Sequence, residues 1–172
     1  KKCARGDDKA RKELYTRYAG SLYALCLRYV GDRELARDLM HDSMIKVFDT
    51  IGKYKPTGSL KSWVSKVTVN LVIDHIRKSR KFQTVSLEEK QERIPEPDKE
   101  EMRLVPKEEL MKMVTRLPET KRVIFNLFCV EGYSHKDIAT MLGIKEKTSS
   151  SLLFKARMQL ADEVKEYIRR NC

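Results

Sequence analysis

Hydrophobic residues recur at steps of three and four positions through the N-terminal half of the chain, which is the period of an amphipathic helix. A first predicted helix carries the stripe Leu14, Tyr18, Leu22, Leu25 and Tyr29. Gly31 is expected to end it, because glycine adopts the left-handed conformation of a helix C-terminus at little cost. Asp32 is a suitable N-cap for a second helix. The apolar stripe of this second helix is Ala36, Met40, Met44, Val47 and Ile51.

A third helix is predicted after a basic loop at 53–58 that contains Pro56 and Gly58. Ser59 can cap this helix. Its apolar positions are Leu60, Trp63, Val64, Val67, Leu71 and Ile76. The many β-branched residues of this stretch would also suit a strand, but their spacing is helical and no strict alternation persists. The sequence therefore predicts three helices around one core, in an N-terminal domain at 1–82.

The segment 83–116 has a different composition from the regions on either side. It holds three of the five prolines of the chain, together with an acidic cluster. The cluster consists of Glu96, Asp98, Glu100 and Glu101. Because this composition is typical of a connecting segment, the predicted fold is all-α, with two small helical domains joined by a flexible acidic linker.

The C-terminal domain is predicted at 117–172 and contains a helix-turn-helix. A helix opens at Leu117-Pro118-Glu119 and its apolar positions continue toward Gly132. Ser134 and Asp137 have the spacing of a capping box at the start of a short helix, and Gly143 supplies the turn before a further helix that begins near Glu146. A helical hairpin whose serines are only solvated is the alternative to a DNA-reading motif.

Charge narrows the class of partner. The 172 residues carry 36 basic and 25 acidic side chains, and the formal net charge is +11. Residues 1–82 contribute +10, residues 83–116 contribute −2 and residues 117–172 contribute +3. Such an excess favours a polyanion or an acidic surface as partner, and an enzyme for small acidic metabolites would not usually need it.

Other features of the composition exclude whole classes of protein. The four cysteines lie far apart without C-x-x-C pairs or histidines at zinc-ligand spacing, so reduced thiols in a reducing compartment are expected. No apolar run approaches the length of a membrane span, and a cytoplasmic protein without membrane insertion is therefore predicted. His41, His75 and His135 stand apart from one another, so the chain is predicted to be no enzyme and to hold no metal or cofactor.

The end of the third predicted helix is strongly basic, with the run from Arg77 to Lys81. A solvated helix end would explain this run by itself, because cations are favourable at a helix C-terminus. The aromatic residues Tyr54, Trp63 and Phe82 occur near the same loop and helix, however. Cations combined with aromatic rings suit a nucleic acid with unstacked bases.

The last helix would present its N-terminal half to the DNA major groove. The residues predicted to face DNA are Lys147, Thr148, Ser149, Ser150, Ser151, Phe154, Lys155 and Arg157. Leu153, Ala156 and Leu160 are predicted to pack inward. Hydroxyl groups at the start of a helix can bind phosphate together with the backbone N–H groups, and the cations add charge.

Taken together, these segments resemble bacterial RNA polymerase sigma factors of the extracytoplasmic-function (ECF) group. The N-terminal motifs of the resemblance are ARDLMHDSMIKVF at 36–48, GSLKSWV at 58–64 and NLVIDHIR at 70–77. The C-terminal motifs are LPE at 117–119, EGYSHKDIA at 131–139, LGI at 142–144 and TSSSLLFKAR at 148–157. The resemblance covers nearly the whole chain, and both groups of motifs occur in the family's order.

The resemblance implies that the chain is a promoter-specificity subunit which binds the β′ and β subunits of core RNA polymerase and promoter DNA. The implied contacts with the β′ coiled coil are Asp38, Leu39, Asp42, Lys46 and Phe48. Ordinary structural roles are the alternative for these residues, with Leu39 and Phe48 in the core and Asp42 paired with Lys46 along the helix.

The resemblance also implies two sets of DNA contacts. Residues implied to hold the melted minus-ten element are Lys53, Tyr54, Lys55, Lys61, Trp63, Asn70, Arg77, Lys78, Arg80 and Lys81. For Trp63, a place in the core is an equal alternative. Residues implied to read the minus-thirty-five element are Lys147, Thr148, Ser150, Ser151, Phe154, Lys155 and Arg157. The family commonly has a basic residue in place of Ser150 and a polar or basic one in place of Leu152, so weaker electrostatic anchoring is expected here.

Two further expectations come from the family. The acidic linker is expected to occupy basic channels of the polymerase, although simple solubilisation would need the same composition. A cognate anti-sigma factor is a further expected partner. A free-standing helix-turn-helix regulator that does not engage polymerase, and an RNA-binding or RNA-modifying protein, are the functional alternatives.

Overall fold

The computed structural model describes residues 1–79, 82 and 104–171, and these residues form helices and turns without any strand. They belong to two compact units, Lys1–Ile76 and Arg77–Cys172. The prediction of an all-α protein is therefore confirmed for the described residues. None of their helices combines the length and the apolar character that crossing a bilayer requires. The acidic cluster at 96–101 and most of the predicted linker lie outside the described residues.

The first unit contains three long helices, α1 (Asp8–Val30), α2 (Arg33–Thr50) and α3 (Leu60–Lys78, whose last residues pass beyond the unit), preceded by a short 3₁₀ turn at Cys3–Arg5. Gly31 has φ of +72° and its N–H donates to the Leu27 carbonyl, which ends α1 as predicted. Asp32 caps α2 by accepting a hydrogen bond of 2.8 Å from the Leu35 N–H. The same role at α3 belongs to Ser59, whose hydroxyl accepts from the Ser62 N–H at 3.0 Å.

Most residues of the predicted stripes of α1 and α2 lie in the core of this unit, where the two helices pack against each other, whereas Tyr18 and Ile51 are half-buried. Tyr29, Ala36 and Val47 are fully buried there. Cys26 is also fully buried, and burial raises the pKa of its thiol to about 12, so it stays a neutral thiol at physiological pH. A fully buried thiol with a raised pKa is unreactive and acts as a small apolar residue of the core.

The predicted stripe of α3 is only partly correct. The buried positions of this helix are Val64, Thr68, Val69, Val72, Ile73 and Ile76. Leu60, Trp63, Val67 and Leu71 are instead half-buried. Because α3 is apolar around much of its circumference, three- and four-residue spacing alone could not distinguish the innermost stripe from the one beside it.

The second unit contains α4 (Lys107–Arg116), α5 (Glu119–Phe125), a π-helical turn at Asn126–Val130, α6 (His135–Leu142) and α7 (Glu146–Asn171). The linker was predicted to extend to residue 116, but its last ten residues form the helix α4. Met113 of α4 and the preceding Val105 are buried in one cluster with Val164 of α7. Short helices are set by such tertiary contacts more than by composition, which explains the error.

Arg122 of α5 connects this helix to the C-terminal end of α4. Its Nη1 atom donates hydrogen bonds to the carbonyls of Thr115, at 2.8 Å, and Leu117, at 2.9 Å. Burial lowers the pKa of this guanidinium, and nearby Glu119 acts in the opposite direction. The side chain is nearly fully buried, so these carbonyls are satisfied by a protein group at a place with little access to water.

Replacing Arg122 by methionine is expected to lower the free energy of unfolding by about 1–3 kcal/mol, because it leaves buried carbonyl groups without donors. Urea unfolding followed by circular dichroism measures this loss. Arg169→Met, at an exposed position near the end of α7, is the matched control and should change the unfolding free energy by less than about 0.5 kcal/mol. Equal effects of the two substitutions would show that the Arg122 hydrogen bonds do not contribute as argued.

Candidate nucleic-acid interface

The outer face of α2 carries the charged residues predicted to bind polymerase. Asp38, Asp42 and Lys46 are exposed. Asp42 and Lys46 form no ion pair within the part of the chain that the structure describes, so that alternative is not realised. Leu39 is only 3% exposed, so its side chain has the core role that was the alternative to a polymerase contact. Its position one turn from Ala36 and Ser43 places it on the inner stripe.

The helix α2 also carries an aromatic and an aliphatic residue outside its buried stripe, Phe48 and Ile45. Phe48 is half-buried. The guanidinium of Arg11 lies over its ring, 5.5 Å from the ring centroid, and covers one face of it. Ile45 is 59% exposed and was not among the residues predicted to bind polymerase. It lies seven residues after Asp38, about two helical turns away on the same face, and an aliphatic residue outside the predicted core stripe was the available signal.

The loop at 53–59 and the start of α3 bring the predicted aromatic residues together. The ring centroids of Tyr54 and Trp63 are 5.6 Å apart and the rings are tilted by 54°. The Tyr54 hydroxyl donates to the Gly58 carbonyl at 2.5 Å, which ties the two ends of the loop. Both rings are half-buried, so Trp63 is neither core nor fully solvated. The pair forms an aromatic surface next to the exposed cations Lys53, Lys55 and Lys61.

The exposed surface of α3 continues from this aromatic pair. Asn70 and Arg77 follow Trp63 at successive seven-residue steps, so the three residues lie along one side of the helix. Lys66 lies on the same side, three residues after Trp63, and is exposed. It was not among the predicted DNA contacts, although its helical spacing from Trp63 could have indicated it. Lys78 is exposed as well. The predicted contacts Arg80 and Lys81 lie outside the described residues.

The helix-turn-helix of the second unit has the predicted local geometry. Ser134 and Asp137 form a reciprocal capping box at the start of α6. The hydrogen bonds from Ser134 lower the pKa of the Asp137 carboxyl, which keeps it ionised. Gly143 ends α6 with φ of +68°, and its N–H donates to the Ala139 carbonyl. The backbone therefore turns directly into α7 at Glu146.

The N-terminal half of α7 is divided into an inner and an outer side. Its buried residues are Thr148, Ser149, Leu152, Leu153 and Ala156. The outer residues are Lys147, which is exposed, and Ser150, Ser151, Phe154 and Lys155, which are half-buried. Ser150, Ser151, Phe154 and Lys155 are thus placed where a groove-reading surface is expected. The inward prediction is correct for Leu153 and Ala156, which are buried, and for Leu160, which is half-buried and packs against the cluster of Val105, Met113 and Val164.

The structure corrects the prediction at two hydroxyl residues. Thr148 is 7% exposed and Ser149 is fully buried, so neither side chain is presented to DNA as predicted. Leu152 is also buried, at 6% exposure. Its apolar side chain is therefore part of the core of the motif rather than a substitute for a polar DNA contact. Small hydroxyl residues gave no sequence signal that separates a buried position from an outer one.

The side chain of Arg157 packs against the π-helical turn and does not extend into solvent from α7. Its guanidinium carbon is 5.8 Å from the ring centroid of Phe128, and its Nη2 atom lies 4.0 Å from the Cys129 sulfur. The Phe128 ring also stacks on the imidazole of His135, with centroids 4.5 Å apart. Within the described residues no group of three or more histidine, cysteine or acidic side chains is arranged to hold a metal ion.

Comparison with known proteins places both units in one family. The model for sigma-70 region 2 matches residues 14–82, and the model for sigma-70 region 4 matches residues 107–160. The chain is 30% identical over 166 residues to the ECF RNA polymerase sigma factor SigE of Mycolicibacterium smegmatis, covering 92% of this chain and 64% of SigE. It is 27% identical to the ECF RNA polymerase sigma factor SigM of Bacillus subtilis, covering 86% of this chain and 91% of SigM.

A solved structure has a similar fold. It contains the sigma factor RpoE in complex with the anti-sigma factor NepR from Bartonella quintana. The TM-score is 0.50 at 20% sequence identity, and the match covers 91% of this chain and 98% of that chain. The second family match begins at Lys107, the first residue of α4.

Proposed function

Because the chain belongs to the extracytoplasmic-function group of RNA polymerase sigma factors, non-catalytic subunits that direct the enzyme to promoters, we propose a division of labour between its two units. The outer face of α2 binds core polymerase. The loop at 53–59 and the exposed side of α3 hold the melted minus-ten element. The outer side of α7 reads the minus-thirty-five element as a duplex.

One observation carries this proposal: in each unit the charged and aromatic residues lie on the outside of helices whose opposite sides form the core. Asp38 and Asp42 are exposed on α2 although Leu39 and Ser43, their neighbours in sequence, are buried. The same division on α7 leaves Ser150, Ser151, Phe154 and Lys155 on the outer side. Two separate interaction surfaces on one DNA-binding chain suit a bridge between an enzyme and a promoter.

Reconstitution tests the proposal. The full chain is mixed with core RNA polymerase, and co-elution in gel filtration together with run-off transcription from genomic promoter fragments is measured. We expect a stable complex and transcripts that require the chain. Failure to join core polymerase, despite binding to duplex DNA, would favour a free-standing regulator. Tighter binding to structured RNA than to promoter DNA would favour an RNA-binding protein.

The proposed minus-thirty-five contact of Lys155 has its own test. Lys155→Ala is expected to weaken binding of the full chain to duplex DNA and to make the slope of log K against log salt less negative by about 0.9, the value for one phosphate contact. Fluorescence anisotropy over about 50–200 mM salt measures the slope. Lys165→Ala removes an exposed lysine farther along the same helix and is expected to leave the slope unchanged. An unchanged slope in Lys155→Ala would contradict the assignment.

Two partner predictions rest on the family alone. Contact of the acidic segment at 96–101 with polymerase channels concerns residues outside those that the structure describes. A cognate anti-sigma factor, such as NepR is for RpoE of Bartonella quintana, is the remaining predicted partner. Both belong to the proposal, together with a place in the cytoplasm where the polymerase acts.

A further inference from the structure

A small cluster of four side chains connects three parts of the second unit. His135 is the first residue of α6, Phe128 belongs to the π-helical turn, and Ser149 and Arg157 belong to α7. The imidazole of His135 stacks on the Phe128 ring at 4.5 Å with 23° between the planes. Its Nδ1 atom lies 2.9 Å from the Ser149 hydroxyl. One imidazole therefore contacts both the element before α6 and the element after it.

The contact with Ser149 matters because this hydroxyl is fully buried at the beginning of α7. A buried hydroxyl without a partner is costly, and His135 supplies one from the neighbouring helix. Ser149 is one turn before Leu152 and Leu153, the core residues that orient the outer side of α7. The hydrogen bond thus fixes the first turn of α7 relative to α6, next to Ser150 and Ser151 on the outer side.

The charges around the imidazole oppose its protonation. Burial lowers the pKa of His135, Arg157 lowers it further, and Glu146 at the start of α7 acts in the opposite direction. On its own helix, Lys136 adds positive charge nearby, while the Asp137 carboxylate is engaged by Ser134. The turn that carries Phe128 also presents the Cys129 thiol, which Arg157 contacts. A protonated imidazole would place a second cation at the aromatic ring that Arg157 already occupies.

We propose that His135, in its neutral form, is a positioning residue that holds the DNA-reading side of α7, and that protonation of His135 loosens this hold. The inference about DNA rests on the proposed function, whereas the hold on α7 does not. With the folded pKa below that of the unfolded chain, the stabilisation is present above about pH 6.5 and is lost as the pH falls toward the folded value. The second unit should therefore become less stable on mild acidification.

Nuclear magnetic resonance of the full chain tests the hold directly. We expect the His135 imidazole to titrate below about 6.5, and the amide signals of residues 147–153 to shift with the same midpoint. In Arg157→Gln the His135 pKa should rise, because the opposing cation is gone. His135→Gln should remove the pH-dependent shifts of α7, while His75→Gln, at an exposed position on α3, should leave them unchanged.

Several results would overturn the proposal: a His135 pKa at or above the ordinary value, amide signals of α7 that do not follow it, or no rise in Arg157→Gln. The wild-type titration decides the matter even where His135→Gln fails to fold. Binding to a minus-thirty-five duplex is measured separately, and wild-type affinity should fall about fivefold on protonation, relative to His135→Gln. Normal titration without any duplex binding would refute the DNA function and leave the hold on α7 intact.

Discussion

Reversal of Asp38 and Asp42 to lysine in one variant is expected to weaken assembly with core RNA polymerase by at least about 100-fold, while the fold stays intact. Both side chains are exposed on α2 and none of the core residues of that helix is altered. Placing like charges across an interface costs several kcal/mol, which corresponds to this loss of affinity. Gel filtration and competition with a second sigma factor for core polymerase measure the effect.

The control must change the net charge by the same amount. Glu13→Lys combined with Asp162→Lys does so at exposed positions on α1 and α7, and this variant is expected to assemble normally. Circular dichroism should give both variants the helical content of the wild-type chain. Normal assembly of the Asp38 and Asp42 variant would show that the outer face of α2 is not the polymerase contact.

The same face of α2 also carries an exposed apolar residue, Ile45. Ile45 lies between the charged residues and was not selected from the sequence, because hydrophobic residues near a core stripe are usually attributed to the core. The structure separates it from Met44, which is buried one position earlier. Ile45 is therefore an exposed aliphatic residue on the face that carries Asp38 and Asp42, the face that is proposed to bind polymerase.

The sequence predicted the helices and their ends where local chemistry determines them. Gly31, Asp32 and Ser134 act within one turn of the backbone, so their roles could be read from residue type and spacing alone. The α4 helix and the inner stripe of α3 depend on contacts between distant segments. Met113 and Val164 belong to one buried cluster although they are about fifty positions apart, so no local sequence pattern could predict their contact.

The site was predicted in the same uneven way. Lys147 and Lys155 could be assigned to the outer side of α7, since long cations rarely lie in a core. Thr148, Ser149 and Leu152 could not, because a hydroxyl residue fits either environment and Leu152 was judged against a family pattern. The His135–Ser149 contact crosses from one helix to the next over a distance of fourteen residues, so only the structure reveals it.

The second large effect is expected at Tyr54. Tyr54→Ala should lower the affinity of the reconstituted holoenzyme for the single-stranded minus-ten element by roughly 5- to 140-fold, the equivalent of about 1–3 kcal/mol for one stacked base. The ring centroids of Tyr54 and Trp63 are 5.6 Å apart, and the Tyr54 ring forms half of the aromatic surface beside Lys53 and Lys55. Tyr54→Phe keeps the ring and removes only the hydrogen bond to Gly58, so its loss should be smaller.

An abasic strand separates stacking from a general defect of the loop. If Tyr54 holds an unstacked base, Tyr54→Ala and removal of that base take away the same contact, so the two changes together should cost no more than one alone. Fluorescence anisotropy with intact and abasic strands, at each position of the element, completes this cycle. Losses that add at every position would mean that Tyr54 supports the loop through its ring and its Gly58 hydrogen bond, and that the stacked bases lie elsewhere on α3.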